Sequence, residues 1–145
     1  MNGLPDLSAS QLPAAQAISL PPRCYSDRDV TAQEIETFFR KGWLGIGRVD
    51  QVAEPGAYRT LDMAGQAVIL TRDWEGNLRA FANSCRHRGA RLIDGASTCN
   101  GLRCPFHSWF YGLDGALVRA PNMDERPGFN RSDYGLIEYL SLIHI

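Results

Sequence analysis

The chain has 145 residues, a formal net charge of −1 and 44% hydrophobic residues. This length suits one domain, and the near-balanced charge gives no reason to expect nucleic acid as a partner. No apolar run is long enough to span a bilayer, and no basic segment precedes an apolar core near the N-terminus. We therefore expect no membrane anchor and no secretory signal, and we expect the protein in the cytoplasm.

The first part of the chain is expected to contain an arm and one helix. Residues 1–23 are rich in Pro, Ala and Ser and show no sustained period, which is typical of a flexible arm. Residues 24–43 are expected to form a helix and its anchor. A T-x-x-E capping pattern at Thr31 and apolar residues spaced three and four apart predict a helix over residues 31–41. Gly42 is the expected helix-ending residue, and Trp43 is the expected anchor.

From residue 44 onward the pattern changes to short apolar stretches between turn residues, which is typical of an antiparallel sandwich or barrel. We expect one domain over residues 44–139. The predicted strands cover residues 49–52, 57–62, 67–72, 78–83, 109–111 and 116–119. Turns are predicted over residues 73–77 and at Asp114 and Gly115. This order of elements places two loops at the tips of hairpins.

These two loops contain paired Cys and His residues. Cys85 and His87 form C-x-H, and Cys104 and His107 form C-x-x-H. Because the chain has only four Cys and three His, their pairing favours a metal site over coincidence. Two thiolates and two imidazoles suit either a tetrahedral zinc ion or a Rieske [2Fe–2S] cluster, so the ligand set alone leaves both metals open.

The sequence around the proposed ligands resembles that of a known protein family. The segments N-S-C-R-H-R-G-A-R-L and C-P-F-H-S-W-F-Y-G-L-D-G closely resemble the Rieske domain of ring-hydroxylating oxygenase α subunits, and the resemblance covers roughly residues 39–139. It implies a mainly β, Rieske-type antiparallel sandwich preceded by a short helix. It also implies that Cys85 and Cys104 bind one iron of the cluster, while His87 and His107 bind the other.

The same resemblance implies electron transfer. In that family a reductase, sometimes through a ferredoxin, passes electrons from NAD(P)H to the cluster, which serves a mononuclear iron bound by two histidines and a carboxylate. We expect that iron only in a missing C-terminal catalytic domain, so this chain is an α-subunit fragment without complete catalytic machinery. The second expected partner is the catalytic domain of a neighbouring α subunit in a trimer. Mono- and dioxygenation, and aromatic, hydrocarbon or quaternary amine substrates, all stay open.

Two other classes of protein fit the same pattern. A stand-alone Rieske-type ferredoxin fits the chain length, although the tail beyond Ala120 resembles the large subunit. A structural zinc module fits the ligand types. Iron and labile sulfide in the purified protein distinguish both Rieske readings from zinc.

The residues around the ligands have two readings each. Trp109 and Tyr111 either shield the cluster from water or are ordinary core aromatics. By the resemblance, Trp109 replaces a serine that donates a hydrogen bond in high-potential Rieske proteins, which implies a low reduction potential. Cys24 and Cys99 are expected to be inert thiols.

Four arginines form either a basic rim that steers an acidic electron donor or a solvated loop surface: Arg86, Arg88, Arg91 and Arg103.

The last six residues, 140–145, read L-S-L-I-H-I. This is the translation of an adaptor used in DNA library preparation, so we expect a non-native tail on a gene that was cut short. His144 then has no function.

Overall fold

The computed structural model describes residues 5–123 and 125–139. The chain divides into two compact units, Met1–Gly45 and Ile46–Ile145. Within the described ranges, no helix has the length and apolar character needed to cross a membrane. The expectation of a non-native tail over residues 140–145 lies outside the described residues.

The first unit contains short helical segments. They are a 3₁₀ turn at Ser8–Gln11, helices α1 at Arg23–Ser26 and α2 at Arg28–Glu34, and a π-helical turn at Ile35–Phe39. Helix α2 begins after Asp27, whose carboxylate accepts the N–H of Asp29 at 2.9 Å. The predicted cap at Thr31 is therefore wrong, because an acidic N-cap four residues earlier already satisfies the helix start.

The helical segment ends at Phe39, two residues before the predicted end at residue 41, and Gly42 follows shortly after it. The N–H of Gly42 donates to the carbonyl of Phe38 at 2.8 Å, and a Cβ at Gly42 would lie 2.5 Å from that oxygen. Only glycine fits such an approach. Trp43, in contrast, is 64% exposed, so no described residue provides the burial expected of an anchor.

The second unit consists of two antiparallel sheets. The first has the strand order β4-β1-β2-β3-β8, and the second has the order β5-β6-β7. Their bounds are β1 Ala57–Met63, β2 Gln66–Arg72, β3 Leu78–Ala82, β4 Ala96–Thr98, β5 Leu102–Arg103, β6 Phe110–Tyr111, β7 Leu117–Arg119 and β8 Glu138–Tyr139. The expected mainly β, antiparallel fold is confirmed.

Strand β2 separates two apolar cores by alternation. Ile69 belongs to a core that both sheets share, whereas Val68 and Leu70 belong to a smaller core that also contains Val52. The buried Thr71 then joins the sheets directly, since its hydroxyl donates to the Leu113 carbonyl at 2.8 Å. The ligand loops therefore extend from a sandwich in which a shared apolar core and this hydrogen bond connect the two sheets.

Strands β4, β5 and β8 are missing from the sequence prediction, and two further segments differ from it. Val49–Val52 is a 3₁₀ turn rather than a strand, and the Arg72 guanidinium donates to the Val52 carbonyl at 3.0 Å. Arg131–Tyr134, beyond the last predicted strand, forms a further 3₁₀ turn capped by Asn130.

Candidate metal centre

The first ligand loop is closed by two backbone hydrogen bonds around Cys85. Its N–H donates to the Ala90 carbonyl at 2.8 Å, and its carbonyl accepts the N–H of Gly89 at 2.8 Å. Gly89 has φ +72°, a left-handed conformation that glycine adopts without steric cost. The loop therefore turns back on itself directly after His87.

The second ligand loop repeats this closure around Cys104. Its N–H donates to the Trp109 carbonyl at 2.8 Å, and its carbonyl accepts the N–H of Ser108 at 3.1 Å. Ser108 lies at the position equivalent to Gly89 and is also left-handed, with φ +57°. The two loops thus share one backbone design, although their histidines follow the cysteines at different spacings.

The loops differ in what supports them. The second is the tip of a hairpin, because β5 pairs with β6 through Leu102 opposite Tyr111. The first follows β3, whose neighbours are β2 and β8, so it has no strand pair of its own and is not the hairpin tip that the sequence predicts. A side chain replaces that pairing.

Asn83 is this side chain. It is buried, its Oδ1 accepts the N–H of Leu92 at 2.9 Å and that of Ile93 at 3.4 Å, and its Nδ2 donates to the Ile93 carbonyl at 2.7 Å. Asn83 therefore clamps the chain on both sides of the first loop. The sequence analysis did not select Asn83, although it stands two residues before Cys85.

The two predicted sulfur ligands are both buried. Burial raises the pKa of the Cys85 thiol, the Tyr111 hydroxyl and the His87 N–H act against this, and the neighbouring Cys104 raises the pKa further. Two thiolates side by side in such a place need a cation, and iron bound by thiolates provides one. The sulfur pair thus fits the cluster.

The two predicted nitrogen ligands lie against each other. The ring centroids of His87 and His107 are 4.7 Å apart and their planes meet at 76°. The Nδ1 atom of His87 is buried and has no hydrogen-bond partner among the described residues. Burial, followed by the neighbouring His107 and Arg88, lowers the pKa of His87, which favours the neutral imidazole that binds metals.

A single ion has no complete ligand group here. Within residues 5–123 and 125–139, no three His, Cys, Asp or Glu side chains surround one point. A Rieske cluster has a different requirement, namely two sulfur ligands at one iron and two nitrogen ligands at the other. The thiol pair and the imidazole pair match that requirement.

Trp109 and Tyr111 lie in the core beneath the loops, and both are buried. Trp109 stacks on His87 and also contacts Phe129 and Tyr134, two residues that the sequence analysis did not select. No local pattern connects these two aromatics to the loops, because the contact joins segments that are distant in sequence. Tyr111 reaches the Cys85 sulfur at 3.3 Å.

The predicted basic rim divides into two groups. Arg91 binds Asp62 at 2.7 Å and Asp94 at 2.9 Å, so its charge is compensated. The other three are exposed, and none forms an ion pair with a described residue: Arg86, Arg88 and Arg103.

Neither of the remaining cysteines joins the ligand pairs. Cys24 and Cys99 are free thiols, as are Cys85 and Cys104. Burial raises the pKa of the Cys99 thiol, which favours its unreactive neutral form.

Comparison with known proteins places these loops in a family. The family model described as "Rieske [2Fe-2S] domain" matches residues 42–137. The chloroplastic choline monooxygenase of Spinacia oleracea is 33% identical over 127 residues, which cover 88% of this chain and 29% of that protein. The [2Fe–2S] cofactor that the resemblance implies is therefore confirmed.

Two solved structures share the fold. A quaternary ammonium Rieske monooxygenase in complex with L-carnitine superimposes with a TM-score of 0.80 at 32% identity, covering 84% of this chain and 35% of the other. Naphthalene 1,2-dioxygenase with bound indole gives a TM-score of 0.73 at 32% identity, covering 79% of this chain and 26% of the other. The chain thus spans about a third of the length of these relatives.

Proposed function

Because the chain belongs to the Rieske [2Fe–2S] domain family, we propose that it is the electron-transfer domain of an oxygenase α subunit. The observation that carries the proposal is the contact of His87 with His107 and of Cys85 with Cys104 between two matched loops. Both Rieske hypotheses, the oxygenase α subunit and the stand-alone ferredoxin, predict this arrangement of the four ligands.

The proposed ligands are the four residues of the two motifs. Cys85 and Cys104 would hold one iron through their buried sulfurs, and His87 and His107 would hold the second through ring nitrogens. When bound, the cluster supplies a one-electron couple whose potential histidine ligation raises above that of an all-cysteine cluster. The protein contributes burial of the sulfurs, the Tyr111 hydrogen bond and the orientation of the histidines.

An acidic reductase or ferredoxin is the proposed electron donor. Between Cys85 and His107 the chain carries four arginines and one aspartate, a net charge of +3 in a protein of net charge −1. The uncompensated Arg86, Arg88 and Arg103 lie within two residues of a ligand cysteine or histidine. Such a concentration of like charge steers an oppositely charged protein toward the ligand loops.

The electron acceptor is proposed to be a mononuclear iron bound by two histidines and a carboxylate, in the catalytic domain of a neighbouring α subunit. Outside the cluster ligands this sequence has one histidine, His144, so it does not supply the pair itself. The relatives act, by their names, on choline, on a quaternary ammonium compound and on naphthalene. Since the last two are equally similar in sequence, we propose oxygenation without choosing a substrate class.

A reducing compartment such as the cytoplasm is the proposed location. All four cysteines are free thiols, which is usual where glutathione and thioredoxin keep proteins reduced.

The proposal is tested on the 145-residue chain after anaerobic purification or reconstitution. It should contain about two irons and two labile sulfides, and the reduced form should give the rhombic, low-average-g signal of histidine-ligated clusters. His107→Ala or His107→Cys should abolish or transform this signal. Stoichiometric zinc without sulfide would contradict the proposal.

A second measurement separates the α-subunit domain from a complete enzyme. With a matching reductase and NADH, the chain should accept electrons and return them slowly to oxygen. Choline, carnitine or naphthalene should leave NADH consumption unchanged and give no oxygenated product. Product formed by this chain alone, with contaminating oxygenase excluded, would overturn the α-subunit reading.

A further inference from the structure

The aromatic packing beneath the ligand loops treats the two histidines differently. The indole of Trp109 lies flat against His87, with ring centroids 4.9 Å apart and planes 9° from parallel. His107 meets His87 edge-on and is itself exposed, next to Phe106, which is 75% exposed. One histidine is therefore packed on a buried ring, while the other stands at the surface.

Trp109 is held in place from two directions. Its backbone carbonyl accepts the N–H of Cys104, so its main chain is part of the second loop. Its indole meets Phe129 at 5.9 Å and Tyr134 at 5.7 Å, both edge-on, and these two rings stack on each other at 4.9 Å. The backbone of Trp109 is therefore fixed by the loop, and its indole cannot rotate without displacing two further aromatic rings.

A flat stack constrains an imidazole without using its nitrogens. The lone pair of a ligating nitrogen lies in the ring plane, whereas the indole contacts the face of the ring. His87 Nδ1, buried and without a hydrogen-bond partner among the described residues, is accordingly left free in that plane. Metal-binding histidines are usually oriented by a hydrogen bond that the second ring N–H donates to a neighbouring group, and here a stacked ring occupies the equivalent supporting position.

We propose that Trp109 is a positioning residue that fixes the ring plane of His87 toward the iron, and that Phe129 and Tyr134 act on His87 through it. This inference rests on the proposed ligand role of His87. It also gives a function to the segment after β7, because the aromatic residues of this segment pack around Trp109 next to the metal centre.

The test compares Trp109→Leu with Trp109→Phe in the reconstituted 145-residue chain. The readouts are the g values of the reduced protein and the rate of iron release to a chelator. Trp109→Leu should shift and broaden the g values and release iron about 10- to 100-fold faster, the usual cost of removing a residue that orients a metal ligand. Trp109→Phe keeps a flat ring, so its g values should match the wild type and its release rate should stay within a few-fold.

Two controls separate positioning from core stability. Phe81→Leu removes an aromatic ring from the same core without touching either histidine, so it should lower the urea midpoint and leave the g values unchanged. Trp74→Leu makes the same chemical change in the exposed turn after β2 and should alter neither readout. If Trp109→Leu does not fold, Phe129→Leu and Tyr134→Leu, at half-buried positions, should give smaller shifts in the same direction.

The outcomes are distinct. Wild-type g values in Trp109→Leu, Phe129→Leu and Tyr134→Leu, with iron release no faster than in Phe81→Leu, would show that the indole only fills the core. A wild-type protein without any [2Fe–2S] signal would instead overturn the proposed function itself, before any variant is compared.

Discussion

The phenol oxygen of Tyr111 lies 3.3 Å from the Cys85 sulfur and accepts the backbone N–H of Arg86 at 3.0 Å. Because the oxygen already accepts one hydrogen bond, its own hydrogen is available to the sulfur. Tyr111 is fully buried, and desolvation, together with the neighbouring sulfur, raises the pKa of its hydroxyl. The hydroxyl therefore stays protonated and serves as a permanent donor to a proposed iron ligand.

Tyr111→Phe should lower the reduction potential. A hydrogen bond to the sulfur favours the more negative, reduced state, and losing about 1 kcal/mol of it corresponds to roughly 40 mV for a one-electron couple. Protein-film voltammetry measures the shift. Tyr58→Phe is the matched control, because the Tyr58 hydroxyl donates to the Asp94 carbonyl, at 3.5 Å, and to no ligand cysteine among the described residues. Equal midpoints for Tyr111→Phe and the wild type would show that the contact does not tune the cluster.

Asn83→Ala should loosen the first ligand loop. The substitution leaves the Leu92 and Ile93 N–H groups and the Ile93 carbonyl without partners in a buried place, at a cost of roughly 2–4 kcal/mol. Urea denaturation should show the loss, and hydrogen exchange should localise it to the amides of Leu92 and Ile93. Asn100→Ala, at an exposed position, should change neither measurement. Unchanged exchange at both amides would show that the clamp is not needed.

Asp73→Asn should destabilise the turn between β2 and β3. Burial alone would raise the pKa of Asp73, but the Arg79 guanidinium at 2.9 Å, with the N–H and side-chain amide of Asn77, outweighs it, and the pKa is lowered. We expect the variant to lose roughly 2 kcal/mol at neutral pH.

The pH dependence of this loss has a defined sign. A carboxyl whose folded pKa is depressed stabilises the fold above its unfolded value, about 3.9, and this stabilisation disappears as the pH falls through the folded pKa. The difference in urea midpoint between wild type and Asp73→Asn should therefore be constant from pH 7 to pH 5 and shrink below about pH 4. Asp50→Asn, which breaks only an exposed pair with Arg48, should leave the midpoint nearly unchanged at every pH.

Charge reversal at the rim should slow electron delivery. Arg86→Glu, Arg88→Glu and Arg103→Glu should each reduce the rate at which a strongly acidic plant-type ferredoxin reduces the protein, by about tenfold at low ionic strength. Salt at about 1 M shortens electrostatic range to about 3 Å and should remove the difference. Arg28→Glu makes the same charge change in the first unit and is the control. A rate that ignores both salt and rim charge, measured by stopped flow, would exclude electrostatic steering.

The strands that the sequence predicts well are those with a local signal. Along β2 the apolar side chains alternate between two cores, and this alternation is visible without the fold. Val49–Val52 misleads because its two valines favour a strand, whereas the N–H of Gln51 donates to the Arg48 carbonyl at 3.1 Å and turns the chain. Strands β4, β5 and β8 have two or three residues each, too few to show any period.

The candidate site divides in the same way. Cys85, His87, Cys104 and His107 are recognisable because each pair is local and the spacing is distinctive. Their surroundings depend on contacts between distant segments, such as Tyr134 on Trp109, and no spacing rule reveals these. Whether the four residues ligate iron stays a prediction until the signal of the His107 variants is measured.

The unequal support of the two loops has a consequence for protein engineering. The second loop carries its own scaffold, since Leu102 to Tyr111 closes a complete hairpin with Cys104 and His107 inside it. If this segment is grafted onto a different antiparallel pair of strands, it should retain its geometry. The first loop cannot be grafted alone in this way, because its shape depends on the hydrogen bonds of Asn83 to the backbone that follows the loop. A graft of the first loop must include residues 83–93, because the Asn83 hydrogen bonds that fix its shape are otherwise lost.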